Sequence, residues 1–197
     1  MVPDKFKFLL ESLQSKLEMN PPEVVGAQRG QGEDVKWSKG PGFSIVPFGL
    51  ELAGVTPYPI LDNEPKSKRN CFKFYCSGVG GFYRSDIYGV SSTIIEAEIY
   101  QNEGQFRSSV RFDDSGDAVR ASGVIFESGV PYISCRLEDD GEFWCYEYRY
   151  EGRRVSSMIA YAPNSMAGTE IFVERVGDHL VGLYFFNDHS KFYIYWV

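Results

Sequence analysis

Histidine is scarce in this chain, and so are the residue groupings on which most enzyme chemistry is built. There are only two histidines, His179 and His189, and both fall at turns near the end of the sequence. Asp188-His189-Ser190 holds the residue types of a nucleophile triad, but three consecutive side chains point in different directions and cannot relay a proton. The four cysteines include no CxxC pair and no Cys-His zinc spacing. No glycine-rich stretch leads into a Gly-Lys-Ser or Gly-Lys-Thr step, which excludes a phosphate loop. No apolar run reaches the roughly 18 residues of a membrane span, and the N-terminus lacks the apolar core of a secretion signal. Positive charge is in deficit too, with 20 Lys and Arg against 27 Asp and Glu, a net charge of -7 and a pI near 4.9. The longest basic cluster, Lys66-Ser67-Lys68-Arg69, sits beside Asp62 and Glu64 and reads as a solvated loop. A nucleic-acid partner needs clustered cations that release counterions, so none is expected.

What is present is a long succession of half-buried runs separated by tight turns. From Thr93 onward the runs are Thr93 to Gln101, Gln105 to Phe112, Ala118 to Glu127, Tyr132 to Glu138, Glu142 to Tyr150, Arg153 to Ala162, Thr169 to Val176, His179 to Phe186 and Lys191 to Val197. Separators such as Asn102-Glu103-Gly104, Ser128-Gly129-Val130-Pro131 and Asp139-Asp140-Gly141 carry turn chemistry, so the pattern predicts consecutive antiparallel hairpins. Asn70 to Ser77 and Phe82 to Tyr88 form a further pair across Gly78-Val79-Gly80-Gly81.

The N-terminal region reads differently. Asp4 to Met19 places Phe6, Leu9, Leu10, Leu13 and Leu17 at helical spacing, with Asp4 as a cap and Asn20-Pro21-Pro22 as the stop. A helix with one apolar stripe needs a sheet face, and the last two strands, apolar on both faces, offer one. Residues 23–42 are rich in Gly, Gln, Lys and Asp and read as a loop. Phe43 to Ala53 is apolar but broken by Pro47 and Gly49, as in a short or edge strand.

Cysteine placement bears on compartment. Cys71 and Cys76 are five apart on a predicted strand and point to opposite faces. Cys135 and Cys145 flank the Asp139-Asp140-Gly141 turn. A three-residue loop sets them directly opposite each other, whereas a two-residue Asp140-Gly141 turn staggers them. With no secretion signal, two buried thiols in a cytoplasmic protein are expected rather than a bridge.

Several acidic and aromatic groups remain as candidates for chemistry. Asp113, Ser115 and Asp117 alternate like calcium ligands, but Ala118 and Val124 stand where such a loop needs glycine and a bidentate glutamate. Glu96 and Glu98 share a strand face, and Glu147 lies between Tyr146 and Tyr148, where an exposed position opposite the core is expected. Trp144, Tyr146, Tyr148 and Tyr150 line one face of their strand. Such a row packs a core, lines a ligand lumen or forms a partner surface.

The fold expected is a single α+β domain over residues 1–197: a helix at 4–19, a Gly-rich loop at 23–42, and a large antiparallel meander sheet over 43–197, twisted rather than flat, with a half barrel as the form it takes if it curls. No catalytic residues, metal site or cofactor are expected. The function expected is a non-enzymatic protein-binding module, most concretely an acidic immunity-type inhibitor of a basic toxin enzyme. Its contact set is Glu138, Asp139, Asp140 and Glu142 at a hairpin tip, with Trp144, Tyr146 and Tyr148 behind. The alternative is a small-ligand-binding barrel or cone with an aromatic lumen. Open sheet edges would make a homodimer unsurprising.

Overall fold

Runs of alternating character bounded by turn residues become strands because each can bury one face while its backbone groups pair with both neighbours. The computed structural model describes residues 2–18, 34–77, 81–163 and 168–197. The strands are β1 (Asp34–Ser38), β2 (Phe72–Ser77), β3 (Gly81–Tyr88), β4 (Ile94–Glu103), β5 (Phe106–Asp113), β6 (Ala118–Glu127), β7 (Val130–Glu138), β8 (Phe143–Glu151), β9 (Arg154–Tyr161), β10 (Thr169–Val176), β11 (His179–Asn187) and β12 (Ser190–Trp196). They form one 12-stranded antiparallel sheet in which every strand pairs with its sequence neighbours, leaving β1 and β12 as edges. Met19, residues 23–33 of the Gly-rich stretch and Gly78-Val79-Gly80 lie outside the described residues.

Two expectations about the first 60 residues are corrected. Residues 34–38, read as loop, form edge strand β1, which aligns Lys36 with Phe74 of β2. Residues 43–53, read as a strand, instead form part of a strap across one face of the sheet. The strap is tied at its neck, where Trp37 and Leu61 exchange backbone hydrogen bonds of 2.8 and 2.7 Å and the Tyr58 N–H donates to the Pro41 carbonyl. It carries a 3-10 turn at Glu51–Ala53. Pro47 and Gly49 suit these turns and would have interrupted a ladder.

A 3-10 turn at Asp4–Phe6 runs into helix α1 (Lys7–Leu17) on the opposite face. Asp4 does not cap it; its carboxylate pairs with Lys7 at 2.7 Å. Nor does α1 cover the last two strands. It lies on β6 and β7, where Phe6, Leu9 and Leu13 are fully buried against Ala121, Ile133 and Cys135. Small residues cut the trough: a Cβ at Gly123 would come within 2.8 Å of Leu9 Cδ1. The last two strands use their strap-facing side instead, where Leu183 and Tyr195 join Tyr148, Met158 and Ile171 beneath Phe48 and Leu52. No described element covers their other side, where Phe186, Tyr193 and Trp196 are exposed.

The three-residue loop decides the cysteine register. The Glu138 N–H donates to the Glu142 carbonyl at 2.8 Å, and Gly141 supplies the left-handed position with φ 86°. Cys135 therefore stands opposite Cys145, Cα to Cα 4.1 Å, and the two are joined as a disulfide under α1. This corrects the expectation of two buried thiols; Cys71 and Cys76 are free. Protein purified without reductant and then unfolded is expected to titrate two thiols per chain, from Cys71 and Cys76. A titre of four would show that the bridge does not form in the cell.

Candidate functional site

Between the strap and the sheet lies a pocket of about 500 Å³. Its roof is apolar and comes from the strap, with Phe43, Val46, Leu50, Leu52 and Val55 among the lining residues. Phe43 is fixed by edge-on ring contacts with Phe82 at 5.0 Å and Tyr100 at 5.5 Å. Its floor is polar and comes from β4 to β8: Glu98, Arg111, Arg120, Ser122, Arg136, Trp144 and Tyr146.

Register assembles this floor from five strands. Glu98 stands opposite Arg111, Arg111 opposite Arg120, and Arg120 opposite Glu138, giving one row of charges across the sheet. The adjacent row runs Tyr100, Ser109, Ser122, Arg136 and Trp144. Side chains directly opposite on antiparallel strands are about 5 Å apart at Cβ, so each member is the cross-strand neighbour of the next.

The charges are matched unevenly. Arg111 donates from one terminal nitrogen to Glu96 at 3.2 Å and from the other to Glu98 at 3.3 Å, while its buried Nε has no hydrogen-bond partner among the described residues. Glu98 also accepts from Ser109 at 2.6 Å and from the Tyr100 hydroxyl at 3.3 Å. Arg120 donates through Nε to both carboxylate oxygens of Glu138, at 2.9 and 3.0 Å, and Arg136 donates to the same carboxylate. The Arg136 guanidinium lies 5.2 Å from the Trp144 ring centre, a cation–π distance.

Electrostatics follow from this pairing. Burial alone would lower the pKa of Arg111, but Glu98 and Glu96 outweigh it and hold the guanidinium above its ordinary value. Burial holds Arg120 below its ordinary value, helped by the positive charges of Arg111 and Arg136. Burial pushes the Tyr146 hydroxyl up to about 12 and raises Tyr148 further, so both are neutral donors at physiological pH.

The residues expected to form a partner surface divide into three groups. Asp139, Asp140 and Glu142 are exposed at the β7–β8 turn, and none forms a salt bridge among the described residues. Glu138 is held by the two arginines, and Trp144 and Tyr146 line the pocket. Tyr148 is buried at 4% exposure, its hydroxyl 2.7 Å from Ser134 Oγ and 3.3 Å from the Pro47 carbonyl of the strap. Glu147, expected to be exposed opposite the core, instead lies on the helix-covered face and pairs with Lys5. Asp113 accepts the backbone N–H groups of Ser115 and Asp117 at 2.9 Å each, the arrangement of a local turn. Among the described residues no group of three or more His, Cys, Asp or Glu could hold a metal, and no helix is long and apolar enough to cross a membrane.

Arg111, Arg120 and Arg136 were not singled out by sequence reasoning. Each stands on a different strand, and only the combined register of two hairpins reveals that they converge. The signal was available in principle, because the turn arithmetic that aligns Cys135 with Cys145 also aligns Arg136 with Trp144. Searches against protein-family models, curated proteins and solved structures give no match to this chain.

Proposed function

We propose that this protein is a non-enzymatic binding protein whose ligand site is the pocket beneath the strap. The observation that carries the proposal is a cavity of about 500 Å³ with an apolar roof and convergent polar groups on its floor, the size and composition typical of small-molecule sites. Among the described residues the pocket lining offers donors and aromatic walls but no nucleophile paired with a histidine, which favours binding over catalysis.

A sheet curled toward a half barrel suits this role. Phe43 touches β3 and β4, while the 3-10 turn at Glu51–Ala53 packs on β12. On a flat sheet the eight spacings from β4 to β12 span about 38 Å. The chain from Phe43 to Leu52 could cover about 32 Å only if fully extended, and here it is wound into turns. The strap therefore supports a concave sheet with the pocket on its inner face.

Native mass spectrometry of the protein purified gently from its own cells tests the proposal. A stoichiometric small molecule, lost in a Leu50→Trp variant that fills the pocket from the strap side, is the expected result. A bare mass for the unaltered protein, or a ligand retained by that variant, would count against the pocket.

A second reading, the immunity-type inhibitor of a basic protein, is favoured by one observation: Asp139, Asp140 and Glu142 project uncompensated negative charge from one hairpin tip. For a captured basic partner, reversing Asp139 and Asp140 to lysine is expected to slow association about tenfold at low salt and flatten its salt dependence. Unchanged association kinetics would remove the tip from consideration. The Cys135–Cys145 bridge counts against the cytoplasmic location expected from the sequence, since disulfides persist in oxidising compartments.

A further inference from the structure

We infer that the pocket takes a singly charged amphipathic carboxylate, with its head on Arg120 and Arg136 and its hydrocarbon body against the strap. This rests on the ligand-binding reading above and adds the chemical class of the ligand.

The charge comes from how the arginines are shared out. Arg111 lies between two carboxylates, Glu96 and Glu98. Arg120 and Arg136 have one between them, Glu138. The three arginines and three glutamates balance overall, but the positive charge is gathered at the Arg120–Arg136 end, where two guanidinium groups share one carboxylate, which suits a monoanion better than a phosphate with nearly two negative charges.

Geometry selects a carboxylate among monoanions. The hydrogen bonds of Arg120 run through Nε alone, and its two terminal amino groups make none among the described residues. Paired guanidinium N–H groups bind the two oxygens of a carboxylate in parallel, a match a point cation cannot supply. Ser122, opposite Arg136 in the adjacent row, lines the same floor and offers a neutral hydroxyl beside the head. The depressed basicity of Arg120, caused by burial and by its two arginine neighbours, would be relieved by an anion bound at that point.

The body of the ligand is set by the roof. Val46, Leu50, Leu52 and Val55 offer only hydrocarbon, so a fully polar anion such as inorganic phosphate would leave that half of the pocket wet or empty. An alkyl or aryl chain would replace that water and be held at both ends.

The test uses the full chain and three probes in isothermal titration calorimetry: sodium octanoate, its neutral counterpart 1-octanol, and inorganic phosphate. Octanoate is expected to bind at least tenfold more tightly than octanol, and phosphate more weakly than either. Arg120→Gln, checked for an unchanged circular dichroism spectrum, is expected to lose about tenfold or more in octanoate affinity and to leave octanol binding unaltered. Arg154→Gln, on a surface remote from the pocket lining, is expected to behave as the unaltered protein. If Arg120→Gln does not fold, the octanoate-to-octanol ratio on the unaltered protein decides. Equal binding of octanoate and octanol would overturn the inference while leaving a ligand pocket in place. Tighter binding of phosphate would overturn the carboxylate class. Silence of all three probes would overturn the inference, while native mass spectrometry with Leu50→Trp judges the ligand reading independently.

Discussion

Replacing Phe6 by alanine is expected to lower the free energy of unfolding by about 3–5 kcal/mol, the range for deleting a buried aromatic side chain. Phe6 is fully buried, and its ring meets Tyr161 of β9 at 5.3 Å between centroids. It thus ties the start of α1 to the sheet beyond the strands on which the helix mainly rests. Leu9 and Leu13 bury their side chains over Gly123 one and two turns further on, so the loss at Phe6 leaves a cavity that the remaining stripe cannot close. Denaturant unfolding followed by circular dichroism measures the effect. A change under about 1 kcal/mol would mean that α1 contributes little to the stability of the sheet. Phe8, which is 69% exposed on the opposite side of the same helix, is the matched control, and its replacement by alanine is expected to stay within about 0.5 kcal/mol.

Arg84→Met is expected to destabilise the fold to a similar degree, about 3–5 kcal/mol, because it strands a buried carboxylate. Asp86 is 1% exposed; it accepts from Arg84 Nε at 2.7 Å and from the Tyr75 hydroxyl at 2.6 Å. Methionine keeps most of the volume of arginine and removes its charge, leaving the carboxylate with the tyrosine alone. Removing the carboxylate as well, in Arg84→Met with Asp86→Leu, is expected to recover most of the loss, since the penalty arises from an unpaired buried charge. Equal stability of the single and double variants in urea would show that an unpaired buried carboxylate is not the source of the loss.

The strands were readable because the chain spends almost no residues between them. From β2 to β9 and from β10 to β12, separators of two to five residues, most of them carrying glycine, asparagine or aspartate, fix both where each strand stops and which residues face each other. The observed bounds of β6 and β10 coincide with those expected from the pattern, and those of the other strands from β2 onward differ by a residue or two. The misreadings share a physical origin: periodicity reports that a segment buries something, not what it buries it against. Phe43 to Ala53 is apolar because it roofs a pocket, and its backbone pairs with no strand. Asp34–Ser38 looked polar because an edge strand needs only one partner and half a buried face. The helix stripe was plain, but its seat depended on Ala121 and Gly123, whose small size matters only once α1 is laid over them.

The candidate site was less readable than the fold. Trp144 and Tyr146 stood out as aromatic residues on one face, and both line the pocket. The arginines stand on separate strands, and nothing in a single hairpin shows that a strap will arch over them. Tyr148 was grouped with its neighbours by alternation alone, and the strap, which closes over it at Pro47, separates it from them.

Because each strand pairs only with those before and after it, the relative contact order of the sheet is low for an all-antiparallel architecture. Long-range β pairing is slow when distant segments must meet before any contact rewards them; here each new hairpin can zip onto the one already formed as the polypeptide leaves the ribosome. The exceptions are α1, which waits for β6 and β7, and the strap, whose residues emerge early but pack on β12, the last of the twelve strands. The pocket beneath the strap is thus roofed only after β12 has been made, and a ribosome-stalled product lacking β12 would carry a nearly complete ladder with an unlatched roof.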